Sequence, residues 1–107
     1  MGLGDMMKMM QQAQEMQERM QRMQEELASA TVTGSAGGGL VTVEADGRGQ
    51  IRAVRLDKSV VDPNDVEMLE DLLTVAVSDA QEKAAAHAQQ EMAKLTGGLN
   101  LPFKLPF

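Results

Sequence analysis

The chain has no cysteine, tryptophan or tyrosine, and only two phenylalanines, three prolines and one histidine among its 107 residues. Without cysteine it can form neither a disulfide framework nor a thiolate zinc site, which fits a reducing compartment. Without tyrosine or tryptophan it offers little for unpaired bases to stack on, which argues against a single-strand specialist. The lone His87 stands in an alanine-rich stretch, and one histidine cannot build a catalytic triad or a histidine-rich metal site. No apolar run approaches the roughly 18 residues of a membrane span. The first five residues lack the basic region and apolar block of a secretory signal. These absences lead us to expect a soluble, cytoplasmic protein.

A core without large aromatics has to be built from Leu, Val, Ala and the ten methionines. Methionine adapts to its surroundings and specifies packing weakly, so we expect modest stability for the single chain and support from a partner chain. Other chemistry is scarce. Gly37, Gly38 and Gly39 could suggest a phosphate cradle, but they lead into a strand and no Gly-Lys-Ser/Thr follows. Glu67, Glu70 and Asp71 read as a solvated helix face. Met6, Met7, Met9 and Met10 resemble a soft-metal cluster until Met6 and Met9 are assigned to the helix seam below. The reading is of a chain that is no enzyme, with no cofactor and no metal.

The formal net charge is −6, which is the wrong sign for the basic footprint of a typical nucleic-acid binder. The charge is uneven, however. Arg48, Arg52, Arg55 and Lys58 face only Asp57 in their stretch. Residues 62–82 carry seven acidic side chains and no basic one.

The centre of the chain reads as a β-hairpin. Residues 40–45 alternate, residues 51–56 are rich in branched side chains, and Asp46-Gly47 with Gly49 is a turn signal. A three-residue loop at 46–48 would set Val43 opposite Ile51 and Val41 opposite Ala53. That register gathers the apolar side chains on one face and puts Thr42, Glu44, Gln50 and Arg52 on the other. A lone hairpin is marginal in water, so the flanking helical segments must cover it. Residues 29–35, with Thr31, Val32 and Thr33, read as a weaker first strand.

Residues 5 to about 28 contain no Gly, Pro or β-branched residue and are full of good helix formers. Met6, Met9, Ala13, Met16, Met20, Met23 and Leu27 recur at alternating spacings of three and four. That is a narrow heptad seam suited to another helix. A second helix is expected from Pro63 to about Lys94, with Asp62 as its cap. Its apolar side is Val66, Leu69, Leu72, Leu73, Ala76, Val77, Ala80 and Ala84. The alanine-rich half, residues 80–93, suits a close helix contact or a solvated arm better than a core. Both helices are too long for a compact domain and should project. We therefore expect one α+β domain over residues 1–98. It runs as a long N-terminal helix, a three-stranded antiparallel sheet and a long C-terminal helix (α-β-β-β-α). Residues 99–107 form a tail with a repeated Leu-Pro-Phe, expected to be a loose end or a docking segment for a protein partner.

Several stretches have to be taken together. They are Met16-Gln17-Glu18 through Leu27, Gly37-Gly38-Gly39-Leu40-Val41-Thr42-Val43, Gly47-Arg48-Gly49 and Val54-Arg55-Leu56-Asp57. Met68-Leu69-Glu70-Asp71-Leu72-Leu73, Ala76-Val77-Ser78-Asp79-Ala80 with Lys83, Thr96-Gly97-Gly98 and the Leu-Pro-Phe ending continue the set. In these stretches the chain resembles the YbaB/EbfC family. The resemblance implies an extended homodimer whose helices project like tweezer arms and bind double-stranded DNA with little sequence requirement. It also implies a nucleoid-associated protein with effects on nucleoid organisation and gene expression. The seam, the long helices and the poor core point to a homodimer independently, and Met6, Met9, Met16, Met20, Met23 and Leu27 are expected to pack against a helix, of this chain or of a second subunit.

DNA contact would have to come from local cations. The candidates are Arg19 and Arg22 with Lys8 behind them, Lys83 and Lys94 on the second helix, and Arg48 and Arg52 near the hairpin. The plainer reading of each is a surface charge, with Glu15–Arg19 and Glu18–Arg22 as i,i+4 ion pairs. The alternative function is an acidic protein–protein adaptor of the same fold with weak DNA affinity. It would bind through the acidic second helix and the tail.

Overall fold

The structure, a computed structural model, describes residues 2–97. The expected tail at 99–107 lies outside the described residues. Helix α1 spans Leu3–Ser29 and meets no breaker until Ala30 turns extended, where the Ala30 N–H still donates to Glu26 O at 2.9 Å. Three strands follow: β1 (Thr31–Ala36), β2 (Val41–Asp46) and β3 (Ile51–Leu56). They form one antiparallel sheet in the order β1-β2-β3. A short 3-10 turn at Lys58–Val60 leads to helix α2, Val66–Gly97. The fold is the α-β-β-β-α arrangement expected from the sequence.

The hairpin departs from the expected register. Its loop is three residues long, as anticipated, but sits one position later at Gly47-Arg48-Gly49. Asp46 N–H donates to Gln50 O at 2.9 Å and Gly49 N–H to Asp46 O at 3.0 Å. Gly49 takes φ +89, which suits the last residue of such a loop. A bulge between Glu44 and Ala45 then shifts the ladder again. Val43 pairs with Val54, Val41 with Leu56, and Ala53 with Glu44 on the outer face. The sequence-based register ignored both effects. The Asp46 carboxylate accepts from the N–H groups of Arg48 (2.9 Å) and Gln50 (3.0 Å) and so selects the loop. The extra residue on β3 is Arg52.

Helix α2 also starts later than expected. Asp62 closes a local turn, its carboxylate accepting from Asn64 N–H at 2.9 Å. Asp65 instead faces the first turn and accepts from Met68 N–H at 3.3 Å. Val66, placed on the apolar side by its spacing, is exposed. Helix α2 packs across β1 and β2 over a core of Ala36, Val41, Val43, Ala45, Val60, Ala76 and Ala80, with Leu69, Leu72, Leu73 and Val77 half-buried around it. Ala80 and Ala84 are buried, as their place on the apolar side required, although the alanine-rich half that they open reads in composition as a close helix contact or a solvated arm. Ala76 and Ala80 come this close to β1 because of Gly34. A Cβ there would lie 2.5 Å from Ala76 O and would also collide with the Ala80 backbone. Two helix alanines opposite a strand glycine let the backbones close together. Asp79 locks the crossing by accepting from Ser35 N–H at 3.0 Å.

Helix α1 is anchored at its C-terminal end alone. Met23 and Leu27 are buried, Met16 is half-buried, and Met6 and Met9 are 55% and 58% exposed. The seam therefore closes only near its base within one chain. The radius of gyration is 20.4 Å and the extents are 75 × 24 × 16 Å, against about 13 Å for a compact domain of this length. Both helices project, as their length required.

Candidate nucleic-acid interface

Positions 19, 22, 23 and 26 form one stripe of a 3.6-residue helix. The structure turns that stripe toward the last turns of α2. Arg19, Arg22, Met23 and Glu26 of α1 and Glu91, Lys94 and Leu95 of α2 line an open cleft of about 270 Å³. Met23 and Leu95 give it an apolar floor, and three cations and two carboxylates surround it. Lys94 Nζ lies 3.2 Å from Glu91 Oε1. Arg19 and Arg22 take part in no ion pair among the described residues. The anticipated Glu15–Arg19 and Glu18–Arg22 pairs are not formed, so both guanidinium groups remain available to an anion.

A second depression lies at the base of the arms. It is a notch of about 410 Å³ between Gln24 and Leu27 of α1, Gly47, Arg48 and Gly49 of the hairpin loop, and Gln81, Ala85 and Ala88 of α2. The loop is held there by Gly47 N–H donating to Leu27 O at 2.8 Å. A Cβ on Gly47 would sit 2.7 Å from that same oxygen. Arg48 lines the notch, with its backbone held by Asp46. Gln24 and Gln81 were not singled out in the sequence, where they stand among many glutamines.

The remaining candidate cations are placed differently. Arg52 does not lie in an open patch with Arg48. Its guanidinium donates to Ala28 O at 2.9 Å and to Asp46 Oδ2 at 3.2 Å, bracing the sheet against the end of α1. Three donors converge on the buried Asp46, the Gln50 and Arg48 N–H groups and Arg52, and they hold its carboxyl below the usual carboxylate value. Lys83 reaches Asp79 Oδ2 at 3.1 Å and Thr33 O at 3.3 Å over β1. The Ser35 N–H first, then Lys83, lower the Asp79 carboxyl. Lys8 lies eleven residues before Arg19 on α1, roughly 16 Å along the helix. The structure thus joins Arg19, Arg22 and Lys94, sets Arg48 nearby at the notch, and uses Arg52 and Lys83 to tie elements together.

Among the described residues no group of three or more His, Cys, Asp or Glu side chains could hold a metal ion. No helix among the described residues is long and apolar enough to cross a membrane.

A model of the YbaB/EbfC DNA-binding family matches residues 1–99. A nucleoid-associated protein of Gemmatimonas aurantiaca is 56% identical over 103 residues, covering 96% of this chain and 99% of the relative. Nucleoid-associated proteins of Geobacillus kaustophilus and Moorella thermoacetica are 55% and 49% identical, over 94% and 95% of this chain. An uncharacterized Helicobacter pylori protein of known crystal structure shares the fold. It superposes with a TM-score of 0.66 at 19% identity, over 92% of this chain and 97% of that one.

Proposed function

We propose that this chain, which belongs to the YbaB/EbfC DNA-binding family, is a nucleoid-associated protein that holds double-stranded DNA by its phosphates. The observation that carries the reading is the α1–α2 cleft, where Arg19, Arg22 and Lys94 meet from two elements. Arginine forks match phosphate oxygens, and a cation set of this kind reads backbone, not base edges. Binding is therefore sequence-tolerant. Arg48 at the notch extends the contact toward the hairpin, and Lys8 extends it toward the tip of α1. Arg52 and Lys83 support the frame that carries these groups. The location that goes with this role is the nucleoid, in the cytoplasm.

The working unit we propose is a homodimer built on residues 1–98. Val54 and Leu56 continue the buried stripe of Val43 and Val41, yet they are 45% and 41% exposed, as α2 stops short of β3. Leu40, Val66, Met68 and Val75 add further exposed apolar surface. A second copy laid on β3, with the open α1 seam, supplies the cover that one chain lacks.

The test is titration of a labelled random-sequence duplex with the protein, across a series of salt concentrations. The expected result is binding that weakens linearly on a log–log salt plot, with about 0.9 of slope for each phosphate neutralised. Arg19→Glu with Arg22→Glu should cost at least tenfold and flatten that slope by about two. Unchanged binding by the double variant would remove the cleft from the reading. Absence of wild-type binding at low salt would overturn DNA binding by this chain.

A further inference from the structure

We propose that Glu26 and Glu91 set the strength of the DNA grip, holding the cleft's affinity for phosphate below what its three cations alone would give. The inference rests on the DNA-binding reading of the same cleft. Both carboxylates line it beside the cations. Glu91 engages Lys94 at 3.2 Å, so a phosphate that takes Lys94 must first displace a carboxylate. Glu26 stands four residues after Arg22 on the same helix face and makes no ion pair or hydrogen bond through its carboxylate among the described residues. A phosphate bound by Arg22 therefore comes close to an uncompensated negative charge.

Helix propensity and the helix dipole give no reason for a glutamate at position 26. It lies in the last turn of α1, which contains no basic residue. A negative charge there opposes the helix dipole, and glutamine forms helix about as well. The carboxylate acts on what enters the cleft. The result is a complex that forms on local cations and releases readily, in a molecule whose overall charge already disfavours DNA.

The experiment compares full-length wild type with Glu91→Gln, Glu26→Gln and the remote control Glu67→Gln, which lies in the first turn of α2. Each is titrated with the random-sequence duplex across the salt series, and thermal unfolding is recorded alongside. Glu91→Gln should bind about threefold to tenfold tighter, with the salt slope steeper by about 0.9 as Lys94 is released. Glu26→Gln should tighten binding by a similar factor, with little change of slope and no loss of thermal stability. Glu67→Gln should match wild type. Wild-type binding unaltered by both cleft variants would overturn the inference and leave the DNA reading standing. Equal tightening by Glu67→Gln would overturn it too, since net charge and not the cleft would then be responsible. Failure of wild type and all variants to bind at low salt would overturn both.

Discussion

Asp46 takes three hydrogen bonds on one buried carboxylate, from the Arg48 and Gln50 N–H groups and the Arg52 guanidinium. Its folded-state pKa is lowered from 3.8, so at acidic pH the unfolded chain binds the proton more readily than the native one. The stability contributed is complete above the unfolded value and is lost as pH falls through the lower folded value. Asp57, capped by the Ser59 N–H and hydroxyl, and Asp79 add shifts of the same sign. Asp46→Asn should lower the melting temperature clearly at pH 6, and the gap from wild type should narrow below about pH 3.8. Thermal unfolding across pH 3–7 measures this. A constant gap would show that the charge on Asp46 is irrelevant. In the sequence, Asp46 beside Gly47 announced a turn. Its grip on Arg52 was not legible, because the bulge that brings Arg52 into reach leaves no mark in the alternation of side chains.

Among the elements, helix and strand identity were legible throughout, because periodicity and breakers act locally. What failed was spacing between elements. Residues 80–93 read as a close helix contact or a solvated arm because alanine offers little apolar area, whereas at Ala76 and Ala80 the small side chain shortens the distance between α2 and β1. The cue lay far off along the chain in Gly34, inside β1. Gly34→Ala should therefore destabilise the fold by about 1–3 kcal/mol through overpacking against Ala76 and Ala80. Urea unfolding measures it, and a change within error would mean that the two backbones separate easily. The candidate cleft was half legible for the same reason. Arg19, Arg22 and Met23 share a stripe that spacing reveals, but Lys94 joins them only through the path α2 takes across the sheet.

For the whole molecule, the long arms were foreseeable from helix length alone, and the uncovered β3 was not, since its apolar residues seemed destined for the helices. If a second copy covers that strand, wild type should sediment as a dimer, and Val54→Glu with Leu56→Glu should yield a folded monomer. A monomeric wild type would overturn the dimer. Loss of the second pair of arms should also weaken duplex binding by tenfold or more, as linked contacts become single ones.

Helix α1 is clamped at one end, where Leu27 O and Ala28 O receive the hairpin loop and Arg52. Within one chain it is mechanically a cantilever. Its 27 residues give a beam of about 40 Å, so a tilt of about 10° at the clamp carries the tip through roughly 7 Å. Arg19 and Arg22, near the root, move by no more than about 3 Å under the same tilt. The arm can adjust its reach at the far end while the cations near its root keep their places.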